Sequence, residues 1–167
     1  MNFAILWYKY LFFTKSDYLM EKQVLNFLNS WKNGILNISK TYVDKGDYKE
    51  EAIKFIKNHY LFETEDVLFK PTMTKRVLFR NDQNSALSYF IGGSIPEDNG
   101  FAIKPWKAID TQEINNIIEN NLIVTMGVFN FTEFDTNERT KVVFTFILKS
   151  TDNVLKIKIH HSSIIPI

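Results

Sequence analysis

A histidine and a serine two residues apart at the end of an apolar strand could relay a proton and hold an oxygen. Residues Leu155-Lys156-Ile157-Lys158-Ile159-His160-His161-Ser162-Ser163 provide such an arrangement. Strict alternation puts Leu155, Ile157, Ile159, His161 and Ser163 on one face of a strand and Lys156, Lys158, His160 and Ser162 on the other. The apolar face then ends in His161 and Ser163, an imidazole and a hydroxyl placed where a pocket can open at the end of a core. Taken alone, the pair reads more simply as buried polar groups satisfied by backbone or water.

Other chemistry-bearing residues carry weaker signals. Glu97 and Asp98 lie between Pro96 and Asn99-Gly100, where turn formation explains them. Gly92-Gly93 lacks the context of a phosphate-binding loop. Arg76 and Arg80 share one face of an expected strand and read as a solvated edge, with attraction of anions as the alternative. His59 reads as a helix-surface or helix-end residue, and Trp106 as a packing anchor. No metal is expected. The chain has three histidines and no cysteine, and adjacent His160 and His161 on a strand point to opposite faces.

The elements that must position these residues come from a chain of 167 residues, long enough for one substantial core and too short for two ordinary domains. Fifteen Phe, seven Tyr and three Trp suit a core built around a cavity as well as a solid one. With 20 basic and 19 acidic residues interspersed, neither a nucleic-acid footprint nor a general attraction to membranes is indicated. Absence of cysteine excludes disulfides, thiol nucleophiles and cysteine-ligated zinc. Residues 1–19 read as an N-terminal extension of uncertain role: Asn2 to Phe13 is apolar but interrupted by Lys9, too short to span a bilayer and a poor signal peptide. A cytoplasmic location is expected, with secretion or a periplasmic location as the alternative.

Residues 20–167 read as a single domain, helices first and strands later. Val24, Phe27, Leu28, Trp31, Ile35, Ile38 and Tyr42 recur at helical spacing. Gly46 stops that helix, and Asp47 with Glu50 opens a second one lined by Tyr48, Ala52, Ile56 and Tyr60. Strand composition follows in Val67 to Phe69, Arg76 to Arg80, Ala86 to Ile91, Leu122 to Thr132, Lys141 to Lys149 and Val154 to Ser163, with a short helical piece near Thr111 to Asn120. This order predicts α+β: N-terminal helices on a strongly curved antiparallel sheet, enclosing a cone-shaped cavity.

Several ordered segments resemble the iota class of carbonic anhydrases, a branch of the NTF2-like (SnoaL-like) superfamily. They are Trp31, Tyr42 with Gly46-Asp47-Tyr48, Val67-Leu68-Phe69-Lys70-Pro71-Thr72, Ala86-Leu87-Ser88-Tyr89-Phe90-Ile91-Gly92-Gly93, Glu97 to Trp106, and the terminal His-His-Ser-Ser. The resemblance covers about Trp31 to Pro166 and not the first twenty residues. It implies reversible hydration of carbon dioxide to bicarbonate, without a metal or other cofactor, and assigns Thr72, Tyr89, His161 and Ser163 to the catalytic pocket. Thr72, Tyr89 and Ser163 would bind substrate, and His161 would relay the proton. Many relatives show a third histidine where this chain has Ile159, and on the parity above that change makes the pocket drier.

The chemistry agrees with the resemblance, since carbon dioxide offers little to grip and hydroxyl donors can orient water and stabilise the developing anion. Singly, Thr72 after Pro71 is also an ordinary strand-start residue, and Tyr89 an ordinary core tyrosine. The expected partners are carbon dioxide and bicarbonate and, by a lean, a second copy of the chain as a homodimer. Neither nucleic acid nor a membrane span is expected. The competing reading is a non-catalytic NTF2-like module for ligand binding or association. A cyclohydrolase of the phosphoribosyl-AMP type fares worse, because those enzymes use cysteine zinc ligands.

Overall fold

Val24, Phe27, Leu28, Trp31, Ile35 and Ile38 form one buried stripe along helix α1 (Lys15–Val43), as their three- and four-residue spacing requires. Tyr42 leaves that stripe for the surface, where its ring meets Tyr48 edge-on at 5.0 Å. The computed structural model describes residues 15–152 and 154–166, so most of the expected extension over 1–19 lies outside the described residues. Helix α2 (Tyr48–His59) opens where Asp47 accepts the Glu50 backbone N–H at 3.0 Å, satisfying a donor that the first helical turn leaves free. The inner face of α2 carries Ala52, Phe55, Ile56 and also His59, which is buried rather than at the surface.

Five strands form one curled, unclosed sheet: β1 (Leu68–Lys70), β2 (Trp106–Glu119), β3 (Leu122–Glu133), β4 (Arg139–Thr151) and β5 (Val154–Ile164). Their order is β1-β5-β4-β3-β2. The long strands are antiparallel neighbours, but short β1 runs parallel to β5, so the sheet is mixed. The inner faces of β3 and β4 supply Ile123, Phe129, Phe131, Phe144, Phe146 and Leu148 to a core shared with the helices. This is the α+β, NTF2-like arrangement expected.

Three segments differ from expectation. Ala86 to Ile91 belongs to helix α3 (Gln83–Ile91), not a strand: Asp82 and Ser85 form a reciprocal capping box, and Gly92 at φ +77° ends the helix. The i, i+3, i+4 placement of Ala86, Tyr89 and Phe90 then buries one helical face. Thr111 to Asn120 lies almost wholly in β2, where pairing with β3 outweighs its polar composition. Residues 76–80 are irregular, and Arg80 is fully buried instead of lying on a solvated edge.

Bulges bend the sheet. In β2, Gln112 faces Val128 and Ile114 faces Gly127, leaving Glu113 as an extra residue at φ +49°. A Cβ on Gly127 would stand 2.5 Å from the Glu113 carbonyl oxygen and 2.9 Å from the Phe144 ring, so the bend requires glycine there. In β5, Ile157 pairs with Leu148 and Ile159 with Ile147, which makes Lys158 the extra residue.

Candidate active site

The bulge at Lys158 decides what β5 presents to the core. Leu155 and Ile157 point inward, and beyond the extra residue the inward positions are His160 and Ser162, at 4% and 3% exposure. His161 is exposed and Ser163 half-buried on the other face. The expected inward placement of His161 and Ser163 is therefore corrected: it assumed an unbroken period of two, and a single extra residue reverses every later side chain. Ile159 sits at the bulge and does not line the cavity, so the drying effect expected from it falls away.

A small cavity lies between the sheet and the helices. Its polar lining comes from Thr72, Tyr89, His160 and Ser162, and its apolar wall from rings that include Trp31, Phe101, Phe129 and Phe144. About 10 Å³ is open to the centre of a water-sized sphere, room for roughly one water. The expected residues Thr72 and Tyr89 are thus brought together, with His160 and Ser162 joining them in place of their neighbours. The adjacent His-His-Ser-Ser residues were the only signal for that pair, because nothing in the run marks Lys158 as a bulge.

Thr72 Oγ1 donates to Ser162 Oγ at 2.8 Å, joining the segment after β1 to the last strand. Lys70 Nζ donates to the Ser162 carbonyl at 3.1 Å and reinforces the same junction. Tyr89 is fixed by stacking on Phe101 at 5.6 Å and by edge contact with Phe69 at 5.8 Å. Burial pushes its phenol pKa up, against the nearby Met73 backbone and Thr72, yet its hydroxyl completes no hydrogen bond with the protein. An orphaned hydroxyl in a cavity wall suits a small polar guest.

His160 is held among aromatic rings, stacked on Phe69 at 4.5 Å and edge-on to Phe146 at 4.5 Å. Burial, with His161 adding in the same direction, holds its pKa well below the usual histidine range, so the ring is neutral near pH 7. Its Nδ1 lies 3.0 Å from the Tyr60 hydroxyl, which also accepts from Trp31 Nε1 at 3.4 Å. The end of α2 reaches the ring because the Leu61 backbone N–H donates to the Ile157 carbonyl at 3.2 Å.

The residues read as a turn and a solvated edge brace this site. Arg80 grips Asp98 through two hydrogen bonds, Nη2 to Oδ1 at 2.6 Å and Nε to Oδ2 at 3.2 Å. Glu97 accepts the backbone N–H groups of Lys75, Arg76 and Val77, and these bonds hold its carboxyl pKa below the usual range. The loop carrying Thr72 is pinned from both ends. Among the described residues, no three His, Cys, Asp or Glu side chains converge to hold a metal ion, and no helix is long and apolar enough to cross a membrane.

A family model described as metal-independent carbonic anhydrase matches residues 22–164. The chain belongs to that family. It is 32% identical over 151 residues to the metal-independent carbonic anhydrase of Nostoc sp., a match covering 87% of this chain and 74% of that protein. The crystal structure of an iota-carbonic anhydrase from a cyanobacterium, complexed with bicarbonate, is similar with a TM-score of 0.83 at 33% identity, covering 88% of this chain and 93% of that one. An NTF-2 like protein of unknown function from Shewanella oneidensis shares the fold alone, at 14% identity and a TM-score of 0.51 over 86% of this chain and 98% of that one. The family read from the ordered motifs is the one that matches, and as a metal-independent carbonic anhydrase the chain carries its Lys-Pro-Thr and Ser-Tyr-Phe segments at the cavity.

Proposed function

We propose that the cavity formed by Thr72, Tyr89, His160 and Ser162 hydrates carbon dioxide reversibly to bicarbonate. The observation that carries this reading is the convergence of three hydroxyls and a neutral imidazole on an aromatic-walled space of about one water, inside a member of this family. Aromatic walls suit a weakly polar gas, and once those rings yield to admit carbon dioxide beside the one water that the cavity takes as it stands, the hydroxyls hold the attacking water and the anion that forms. As the water oxygen bonds to carbon, a carbon–oxygen π pair becomes a lone pair on the outgoing carboxylate. The water's proton moves to Thr72 Oγ1 while the Thr72 hydrogen passes to Ser162 Oγ, whose own hydrogen goes on to a solvent base. The 2.8 Å bond between the two hydroxyls supports that route, whereas exposed His161 does not reach the cavity.

Stopped-flow hydration of carbon dioxide by purified protein, followed with a pH indicator, tests the reading. Hydration no faster than the buffer background would overturn it and leave the non-catalytic ligand-binding module standing.

The second part of the proposal is a homodimer through the outer face of the sheet. Val124, Met126 and Val128 on β3, with Val143 and Ile147 on β4, give that face an apolar strip among polar neighbours such as Thr145 and Lys149, and Met126 is 47% exposed. Sedimentation equilibrium checks it: a monomeric mass at micromolar concentration would refute it, and Met126→Lys should weaken a dimer.

A further inference from the structure

The buried chain running from Trp31 through Tyr60 to His160 has a direction. An indole N–H can only donate, so Trp31 Nε1 gives its hydrogen to the Tyr60 oxygen. Tyr60 is 1% exposed, and Trp31 and His160 are the two groups in hydrogen-bond contact with its hydroxyl among the described residues. The phenolic hydrogen therefore has one available acceptor, Nδ1 of His160 at 3.0 Å. Were Nδ1 itself protonated, the phenolic hydrogen would be buried without a partner. Burial also pushes the Tyr60 pKa far up, so the phenol keeps its hydrogen. A neutral imidazole that accepts at Nδ1 must carry its proton on Nε2.

We infer that Trp31 and Tyr60 are positioning residues that lock His160 as the Nε2–H tautomer, making it a hydrogen-bond donor to the bicarbonate oxygen and not the proton acceptor of the reaction. The inference deepens the carbonic anhydrase reading and rests on it. His160 lines the cavity, and none of the hydrogen bonds among the described residues uses its Nε2. A donor fixed before substrate arrives faces the oxygen that gains charge as carbon dioxide is hydrated, and needs no reorganisation to do so. The Phe69 ring at 4.5 Å, only 17° from parallel, and the Phe146 edge at 4.5 Å oppose a ring flip that would exchange the two nitrogens. Trp31 stacks on Phe129 at 5.3 Å with 3° between planes, so the first donor is itself held.

Nitrogen-15 NMR of the histidine rings reads the tautomer directly and independently of turnover. The wild-type protein should show His160 with unprotonated Nδ1 and protonated Nε2 from neutral to alkaline pH. Tyr60→Phe keeps the stacked ring and removes the hydroxyl; it should give a mixed tautomer pattern and lower kcat/KM about tenfold, the effect of one hydrogen bond. Trp31→Phe, which leaves Tyr60 in place, should cause a smaller loss in the same direction and serves if Tyr60→Phe does not fold. Protonated Nδ1 in the wild-type protein would overturn the inference, as would a folded Tyr60→Phe protein with unchanged nitrogen pattern and unchanged kcat/KM. A wild-type protein with the expected tautomer but no hydration activity would refute the catalytic half of the inference together with the function.

Discussion

Thr72 and Ser162, ninety residues apart, share a hydrogen bond of 2.8 Å, and this contact joins the loop after the shortest strand to the end of the last one. Each side chain depends on the other's element. The loop is pinned by Arg80, Glu97 and Asp98, and the strand end is oriented by the bulge at Lys158.

Inward and outward residues of β5 should separate cleanly by activity. His160→Ala and Ser162→Ala are expected to reduce kcat/KM about a hundredfold, the scale of losing a pre-positioned donor. His161→Ala and Ser163→Ala should stay within about twofold, since neither side chain lines the cavity. Hydration kinetics of the four variants decide the matter, and equal losses at both parities would contradict the bulged register.

Tyr89→Phe should change activity and stability in opposite directions. The Tyr89 hydroxyl is buried and unpartnered, so its removal relieves a desolvation cost of about 1 kcal/mol and should raise the denaturant midpoint. Activity should fall about tenfold or more. Thr72→Val, which breaks the bond to Ser162, should lower both. Urea titration beside stopped-flow kinetics separates the two patterns.

Arg80→Met is expected to destabilise by about 3–5 kcal/mol, because it leaves Asp98 as a buried carboxylate without its partner. Restoring neutrality with Asp98→Asn in the same chain should recover part of the loss. Thermal melts of the single and double variants provide the comparison.

Stability should decline as the solution is acidified through the histidine range. His160 is neutral when folded because burial lowers its pKa, and burial acts in the same direction on His59. Unfolded, each takes up a proton near its ordinary pKa of about 6.5. Below that pH the unfolded chain binds more protons than the folded one, so the unfolding free energy falls with pH until the depressed folded values are passed, and it is flat above. Urea midpoints measured across this range should show the decline, and His160→Gln should flatten it.

Hydration activity should survive exhaustive chelation. No three ligating side chains converge among the described residues, and the polar lining of the cavity is three hydroxyls and a single imidazole. Activity lost to a chelator and restored by zinc or manganese would contradict this while leaving the family unchanged.

Much of this molecule was legible in its order of residues. The α1 stripe from Val24 to Ile38 declares its helix because every third or fourth residue is large and apolar. Thr72 and Tyr89 were legible through the segments that hold them. Composition alone gives the α3 segment the look of a strand because six residues from Ala86 to Ile91 are too few to distinguish periods, and the deciding signal, the Asp82 and Ser85 box, lies just upstream. For β2 the reverse applies: its polar run holds its extended form through the ladder to β3, a partner no local pattern names. The parity error at β5 has the same origin, since the extra residue is defined only by what stands opposite, in Ile147 and Leu148.

The doubled pairs in His160-His161-Ser162-Ser163 have a consequence for tolerance to sequence change. Whichever face the end of this strand turns inward, it delivers an imidazole followed two positions later by a hydroxyl. An insertion or deletion upstream that moved the strand by one place would exchange the identities of these two groups but keep their chemistry. The aromatic rings around His160 and the Tyr60 contact would then have to accommodate the newcomer, so what such a change puts at risk is the fit of the cradle, not the supply of functional groups.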